Sequence, residues 1–429
     1  MSPALFGAML LILFVLSVPI VIALGLTSMG YMYGAGIPLQ AAVQRMFAGL
    51  DSFPLAAIPF FILSGALMEA SGISTRLINF AQALVGRMAG GLGLVTVISA
   101  MFFAAISGSS AATTAAIGAI LIPAMAKRGY SRRFATATQA ASGELGVIIP
   151  PSIPMIIYAL TAGVPVSIGD LFMAGVVPGM LIALSLLITV YVVSRIKGYG
   201  RSDAGEGIAN PPLWASFKAA ILPLLMPFII LGGIYGGIFT PTEAAVVAVF
   251  YALFLGTAVF RTLDLKRIVG ALKSSVLSSI VILLIISAAS AFGWVLTANR
   301  VPDAIAAAFV AASDNTFIFL IMVNILLLIV GMFLETGAAI IILAPILTPV
   351  AVAYGVDPMH FGIIMIVNLA VGMTTPPLGV NLFIACQVAG LRIEQIMKSM
   401  LPFYLVLLLD ILVITYFPSL SMWLPSLLR

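Results

Sequence analysis

Apolar stretches long enough to form helices follow one another along most of the chain, and short polar or proline-containing segments separate them. The stretches that predict scaffold helices lie at about 4–34, 52–70, 219–238, 243–260 and 275–297. A membrane-spanning helix needs about 20 apolar residues, and these stretches are of that order or longer. Residues 4–26 lack the basic start of a cleaved signal peptide, so they predict a first membrane helix.

The composition agrees with a membrane protein. Hydrophobic residues make up 62% of the 429 residues and charged residues only 8%, and the mean hydropathy is +1.25. Such a chain is expected to be an all-α polytopic membrane protein. The net charge of +5 does not indicate nucleic acid as a partner, because the basic residues cluster in short loops, the pattern that orients membrane proteins. The single cysteine, Cys386, excludes a disulfide framework and a cysteine zinc site.

One stretch, Phe103–Pro123, is apolar at both ends and polar in its middle, where serines, threonines and a glycine occupy Ser107–Thr114. Its apolar arms, Leu92–Ile106 and Ala115–Ala126, are shorter than a spanning helix. An interruption within a bilayer is tolerated only inside protein or beside a wet cavity, because backbone polar groups need partners there. The pattern predicts a re-entrant hairpin, and an ordinary spanning helix with a Ser/Thr kink is the alternative.

The charges that flank this hairpin predict its orientation. Basic residues stand on both sides of it: Arg76, Arg87, Lys127, Arg128, Arg132 and Arg133. The positive-inside rule therefore places both of its ends in the cytoplasm. A second hairpin, predicted at 316–353, is flanked by Asp314, Asp357 and His360 and has no Lys or Arg nearby. We expect it to open to the outer face.

The second half of the chain repeats the first. Aligning Pro150-Pro151 with Pro376-Pro377 gives a shift of 226 residues (376 − 150 = 226), and the same shift aligns Gly146 with Gly372. Like units that face opposite ways are the inverted-repeat plan of secondary transporters. Strict inversion also requires residues 38–50 to cross the membrane, with the N-terminus outside, and the count of apolar runs leaves this open.

The repeat predicts two structural units and a linker. The first unit covers 1–195, with scaffold 1–88, hairpin and broken helix 89–165, and last helix 166–195. A cytoplasmic linker, 196–217, carries Arg201, Asp203 and Glu206. The second unit covers 218–429, with scaffold 218–313, hairpin and broken helix 314–391, and last helix 392–429. An amphipathic segment in each unit, 73–87 or 302–313, is expected to lie on the membrane surface.

The proline pairs predict two sodium sites. Proline lacks an N–H and clashes with the preceding turn, so each pair opens a helix and frees carbonyl oxygens. Hard cations bind carbonyl and hydroxyl oxygens, which the hairpin tips also supply. The expected ligand positions are Ser107, Gly108, Ser110, Gly146, Pro150 and Ser152 for the first site, and Gly331, Thr336, Gly337, Gly372, Thr375 and Leu378 for the second.

Half-helices that begin after each tip and each proline pair predict an anionic substrate, because their free N–H groups and positive dipole ends favour negative charge. The polar side chains expected to contact it are Ser109, Thr113, Thr114, Ser152, Thr374 and Asn381. The alternative is that these prolines and glycines only kink helices and that the hydroxyls bond to their own turn. For Glu144 and Glu335, a cation counter-charge and a structural helix cap are equally open readings.

The motifs of residues 101–113, Pro150–Ser152, Thr240–Ala245 and Thr375–Asn381 together resemble the large membrane subunit of tripartite ATP-independent periplasmic (TRAP) transporters. The resemblance covers nearly the whole chain. It implies an elevator-type ion-transporter fold in the bacterial inner membrane and sodium-coupled uptake of organic acids such as C4-dicarboxylates or sialic acid. It also implies a separate small four-helix membrane subunit and a periplasmic binding protein as partners.

Two other functions were weighed. A stand-alone sodium–dicarboxylate symporter without a binding protein has a similar hairpin architecture and remains the alternative. An intramembrane serine protease would need a base near its serine. The sole histidine, His360, is expected in a surface turn after Asp357-Pro358, and no lysine lies in a membrane segment near Ser109. The sequence therefore predicts a transporter and not an enzyme.

Overall fold

The computed structural model describes residues 3–200, 211–312 and 315–428, and every regular element in these ranges is helical. Nine of the described helices are long and apolar enough to cross a membrane. The predicted all-α, multi-spanning class is confirmed. Three charged residues of the predicted linker, Arg201, Asp203 and Glu206, lie outside the described residues, as does Asp314 beside the second hairpin.

The first half contains eleven α-helices: α1 (Pro3–Val15), α2 (Ile20–Gly34), α3 (Leu39–Ala48), α4 (Ala57–Ala70), α5 (Ile73–Val85), α6 (Gly91–Ser107), α7 (Ser110–Lys127), α8 (Arg132–Gly143), α9 (Leu145–Ile148), α10 (Ile153–Thr161) and α11 (Ile168–Lys197). The described part of the second half contains ten: α12 (Leu213–Tyr235), α13 (Pro241–Phe254), α14 (Leu265–Ala298), α15 (Val301–Ala312), α16 (Thr316–Phe333), α17 (Thr336–Ala353), α18 (Pro358–Gly372), α19 (Val380–Ala389), α20 (Ile393–Tyr416) and α21 (Ser419–Leu428).

The N-terminal stretch differs from the single helix predicted for residues 4–26. Helix α1 ends at Val15 and α2 begins at Ile20, so that prediction is wrong. Pro19 has no N–H to continue the helix, and Ser17 adopts a left-handed backbone conformation with φ +58°. Helix α3, in the segment 38–50, has ten residues. It is about 15 Å long, half of the hydrocarbon thickness, and does not span the membrane by itself.

Both predicted hairpins fold back on themselves, so that their two ends lie together. In the first hairpin, Thr96 near the start of α6 donates a hydrogen bond to Met125 Sδ near the end of α7, at 3.4 Å. In the second, Thr316 at the start of α16 donates to the carbonyl of Tyr354, just after α17, at 3.1 Å. Each pair of helices therefore reverses direction at its tip.

The arms of the first hairpin are longer than the sequence analysis predicted. Helices α6 and α7 have 17 and 18 residues, so the argument from short arms is wrong. Ser109 caps α7 by accepting a hydrogen bond from Ala112 N, and Thr113 Oγ1 donates to Ser109 O at 2.8 Å. The hydroxyl residues after Ser109 therefore form the first turn of α7, and only Gly108 and Ser109 remain at the tip. The hairpin is established by the reversal of the chain and not by arm length.

The two halves match element by element. Helices α7 and α17 both begin and end 226 residues apart (336 − 110 and 353 − 127). Their N-cap residues, Ser109 and Glu335, each accept a hydrogen bond from the backbone N–H three residues later. Both proline pairs contain a cis peptide bond. The spacing that the sequence shows is thus also a spacing of structural features.

A break interrupts each helix that carries a proline pair, as the sequence predicts. In the first half, α8 and α9 are followed by α10 at a bend of 46°. In the second half, α18 and α19 are separated by residues 373–379. The end of α10 lies beside the start of α18, where Tyr158 Oη donates to Pro358 O at 2.7 Å. Helix α19 packs against α7 and α8. The two broken helices therefore run in opposite directions, and the hairpin bases lie at opposite ends of the molecule.

The scaffold helices surround one side of this core. Helix α4 packs against α13 and α14, and α5 packs between α6 and α12. The guanidinium of Arg76 on α5 lies 3.9 Å from the ring centre of Phe260, which follows α13. This cation–π contact attaches the surface segment to the scaffold.

Close helix contact in the core depends on glycine. A Cβ atom at Gly372 would lie 2.6 Å from Gly331 Cα, and the neighbouring atoms are also backbone. The end of α18 and the end of α16 therefore touch without side chains between them. A methyl group at this position requires the two helices to separate.

Gly372→Ala is expected to destabilise the fold by about 1–3 kcal/mol, because overpacking against backbone cannot be relieved by a rotamer change. Gly232→Ala on α12 is the matched control, since nothing lies within 4 Å of its Cβ position. Thermal unfolding of both purified variants in detergent measures the difference. Equal melting temperatures would contradict the close contact of α16 and α18.

Candidate substrate and cation site

The two hairpin tips meet at a cavity of about 340 Å³ inside the protein. Gly108 and Ser109 line it from the first tip, and Glu335 and Gly337 line it from the second. The start of α10 forms a third wall. The scaffold helix α14 closes the opposite side with Val281, Ile282 and Ile285. The cavity thus lies between the core of hairpins and broken helices and the surrounding scaffold.

The first tip is held against the first break by backbone contacts. Ile153 N, at the start of α10, donates to Gly108 O at 3.4 Å. Gly108 has φ +61°, and a Cβ there would lie 3.0 Å from Pro151 O. On the other side of the tip, a Cβ at Gly146 would lie 2.4 Å from Ser109 O. Only glycine permits both approaches.

Hydroxyl groups crowd around this contact. Ser107 Oγ and Thr113 Oγ1 lie 3.0 Å apart, and Ser152 Oγ donates to Val147 O at 2.6 Å. Of the six positions predicted for the first cation site, the structure brings the tip residues Ser107, Gly108 and Ser110 against the break residues Gly146 and Ser152. The sixth, Pro150, lines an apolar groove with Phe102 and Val176 on the other side of the break.

The second tip meets the second break in the same way. Leu378 N and Gly379 N both donate to Met332 O, at 3.3 Å. Thr336 Oγ1 donates to Met373 Sδ at 2.9 Å. The positions predicted for the second cation site surround this contact: Gly331, Thr336 and Gly337 on the hairpin, and Gly372, Thr375 and Leu378 on the break. Thr375 Oγ1 donates to Val371 O at 3.0 Å, within its own helix turn.

The six residues predicted to contact substrate do not share one surface. Ser109 lines the cavity, and Ser152 directly precedes the lining residue Ile153. The other four, Thr113, Thr114, Thr374 and Asn381, are fully buried and do not line it. Asn381 is unusual because neither atom of its side-chain amide has a hydrogen-bond partner among the described residues.

Comparison with known proteins identifies the family. The family described as "Tripartite ATP-independent periplasmic transporter, DctM component" matches residues 7–420. The chain belongs to this DctM family. It is 40% identical to the C4-dicarboxylate TRAP transporter large permease protein DctM of Rhodobacter capsulatus, and the match covers all of both chains. It is 39% identical to the sialic acid TRAP transporter large permease protein SiaM of Vibrio cholerae, over 91% of this chain and 90% of that protein.

Two further similarities add to this. The chain is 45% identical, over 98% of its length, to the isethionate TRAP transporter permease protein DctMQ of Oleidesulfovibrio alaskensis, of which it spans 66%. The crystal structure of the YdaH transporter of Alcanivorax borkumensis shares the fold, with a TM-score of 0.64, 16% identity and coverage of 90% and 88% of the two chains. Family membership and the nine apolar helices make this DctM protein a multi-pass protein of the bacterial inner membrane.

The two buried carboxylates of this DctM protein differ in their surroundings. Glu335 Oε2 accepts a hydrogen bond from Ala338 N at 3.2 Å, so it caps its own helix as the structural reading predicts. Glu144, between α8 and α9, is completely buried, and neither carboxylate oxygen has a hydrogen-bond partner within the described ranges. Its side chain makes none of the contacts of a helix cap.

The surface position predicted for His360 is wrong. Helix α18 begins at Pro358, and the first turn turns the imidazole inward, where it is 2% exposed. His360 Nδ1 lies 2.6 Å from Ser421 Oγ of α21, and Nε2 lies 3.2 Å from Thr415 O of α20. These contacts join three helices. Ser109 is not among the hydrogen-bond partners of the histidine, so the protease reading gains nothing from its burial.

Sequence reasoning missed the apolar residues at this site. Val147, Ile153 and the three α14 side chains line the cavity, and Met373 contacts the tips of both hairpins. Apolar residues are the majority of a membrane protein, so no pattern distinguishes those that line a cavity. The position of Met373 between Gly372 and Thr374 is the one available signal.

Replacing His360 with alanine is expected to destabilise this DctM protein by about 1–3 kcal/mol, because Thr415 O loses its partner and a cavity remains. Transport per folded molecule should stay unchanged. Thermal unfolding and uptake measurements check the two parts, with Ser426→Ala on the exposed face of α21 as the control. Loss of uptake at unchanged stability would instead give the histidine a role in transport.

Proposed function

We propose that this chain is the large permease subunit of a TRAP transporter that takes up an organic acid anion by sodium-coupled secondary active transport. The observation that supports this most strongly is the convergence of both hairpin tips and the first helix break on one cavity beside the scaffold. The second helix break meets the second tip beside it. In secondary transporters, sites built from broken helices at the interface of two repeats bind substrate and coupling ions.

The chemistry of the tips suits sodium. Ser107, Ser110 and Thr336 offer hydroxyl oxygens, and each break offers carbonyl oxygens that are not used by a regular helix. Hard monovalent cations are held by such neutral oxygens. No group of three or more acidic, histidine or cysteine side chains that could hold a transition metal occurs in the searched ranges. The residues of each tip and its break would hold one sodium ion.

The cavity suits a small anion. Helices α7, α10 and α17 begin at its wall, at Ser110, Ile153 and Thr336. The first N–H groups of a helix have no partners within it, and its dipole favours negative charge. The relatives are named for isethionate, C4-dicarboxylates and sialic acid, which all carry a carboxylate or a sulfonate. We infer a substrate of this class for the present chain.

Two partners follow from this proposal. The relative named DctMQ is longer than this chain, which spans 66% of it. We infer that a separate small four-helix membrane subunit supplies the missing part. A periplasmic binding protein would deliver the substrate and select it, which agrees with the tripartite description of the family.

The cavity wall also supports an elevator mechanism. The scaffold contributes Val281, Ile282 and Ile285 of α14 to this wall, and none of these side chains forms hydrogen bonds. A core made of the hairpins and broken helices can slide along such a surface without losing polar interactions. Substrate and ions would then cross together within the core.

Reconstitution tests the proposed function against the stand-alone symporter. The chain, its small subunit and the binding protein are placed in proteoliposomes, and uptake of labelled succinate, sialic acid and isethionate is measured with and without a sodium gradient. We expect uptake of one acid only when all three proteins and sodium are present. Uptake by the large subunit alone would favour the symporter.

Ser110→Leu and Thr375→Leu are expected to weaken the sodium dependence of uptake. Each replaces a hydroxyl oxygen of a predicted cation site with a larger apolar group, so the sodium concentration for half-maximal uptake should rise about tenfold or more. Thr257→Leu, whose hydroxyl lies outside the core at the π-helical turn 255–259, is the control. Unchanged sodium titrations for both variants would contradict the predicted sites.

Ile282→Trp is expected to reduce substrate uptake by on the order of tenfold, because the indole ring fills part of the cavity. Stabilisation of the purified chain by sodium should remain. Leu277→Trp on the same helix is the control, since Leu277 is 67% exposed on the outer surface. Equal uptake by both variants would show that substrate does not use this cavity.

A further inference from the structure

Met373 is the first residue of the second break, and its side chain lies between the two hairpin tips. It is fully buried. Thr336 Oγ1 of the second tip donates a hydrogen bond to its sulfur at 2.9 Å, and Ser110 Oγ of the first tip donates to the same atom at 3.8 Å. Its carbonyl accepts a hydrogen bond from Asn381 N at 3.0 Å. One side chain therefore contacts elements from both halves of the chain.

The chemistry of the thioether gives this contact a direction. Sulfur is a soft and weak acceptor that does not bind sodium, so it does not compete with oxygen for a hard cation. A hydroxyl that donates its proton to sulfur directs its oxygen lone pairs away from the sulfur. Ser110 and Thr336, which occupy equivalent places at the tips, both use their protons in this way. Their oxygens are thereby left as acceptors.

We propose that Met373 is a positioning residue that couples the two cation sites, an inference that rests on the proposed sodium coupling. Its sulfur holds the hydroxyls of Ser110 and Thr336 with their oxygens available for the ions. When one tip becomes ordered around an ion, Met373 is fixed as well, and the other tip needs less ordering to bind the second ion. Binding at the two sites is therefore cooperative.

The repeat shows why this role belongs to the second half. The residue equivalent to Met373 is Val147 (373 − 226 = 147). Valine has no acceptor in its side chain and is too short to reach both tips. Val147 instead lines the cavity and accepts a hydrogen bond from Ser152 through its carbonyl. A single flexible thioether thus serves both symmetry-related tips.

Sodium binding to the purified full chain tests the proposal without substrate or partners. The melting temperature is measured across a sodium chloride titration at constant ionic strength, with potassium chloride as the balancing salt. Met373→Leu keeps the volume and removes the acceptor. Met365→Leu, a fully buried methionine two turns earlier on α18, is the matched control. We expect Met373→Leu to raise the half-maximal sodium concentration on the order of three- to tenfold and to lower the Hill coefficient towards one.

A double-mutant cycle gives a second test that does not depend on the folding of Met373→Leu. Ser110→Ala and Thr336→Ala are measured singly and together in the unaltered chain. Because their hydroxyls share one acceptor, their effects on the half-maximal sodium concentration should not multiply. In the Met373→Leu background, the same two effects should multiply.

The outcomes separate the two proposals. If sodium does not stabilise the unaltered chain, the proposed sodium coupling is overturned, and this inference with it. If sodium stabilises the chain but Met373→Leu titrates with the same cooperativity as Met365→Leu, Met373 only fills space and the inference alone is overturned. Independent effects of Ser110→Ala and Thr336→Ala in the unaltered chain would overturn it as well.

Discussion

The structure depends on backbone hydrogen bonds between each hairpin tip and the helix break of its own half. A helix that stops inside a membrane leaves N–H and C=O groups without partners, and lipid cannot supply any. Here the N–H of Ile153 binds the carbonyl of Gly108, and the N–H groups of Leu378 and Gly379 share the carbonyl of Met332. Each interruption satisfies part of the other. A tip or a break alone would be unstable at this depth.

This mutual satisfaction also concentrates chemistry in one place. The oxygens and helix starts that remain free are those nearest the contacts, and they surround a single cavity. Glycines at 146, 331 and 372 permit the backbones to approach closely enough for this arrangement. The same packing that keeps interrupted helices in a membrane therefore creates the surroundings that a small ion or an anionic group requires.

The two halves reach the same geometry with different side chains. The first tip uses hydroxyl groups, with Ser109 as the cap of α7. The second tip uses the carboxylate of Glu335 as the cap of α17 and pairs Thr336 with the sulfur of Met373. The second half also contains a buried network in which Asn368 donates to Asn324, which in turn donates to Thr415. At the positions equivalent to 324 and 368 the first half has Ile98 and Ser142. The repeat constrains the backbone more strongly than the side chains.

The sequence by itself determined the helical membrane class, the shift of 226 residues between the halves and the breaks at the proline pairs. These features follow from composition and from the local effects of proline and glycine, which act within a few residues. Only the tertiary structure decided that Ser110, Thr113 and Thr114 belong to a helix, that His360 is buried between three helices, and that Thr374 and Asn381 face away from the cavity. It also placed Met373 between both tips. Such outcomes depend on which distant segments come into contact, and in a chain that is apolar almost throughout, the pattern of residues does not distinguish a side chain facing another helix from one facing lipid.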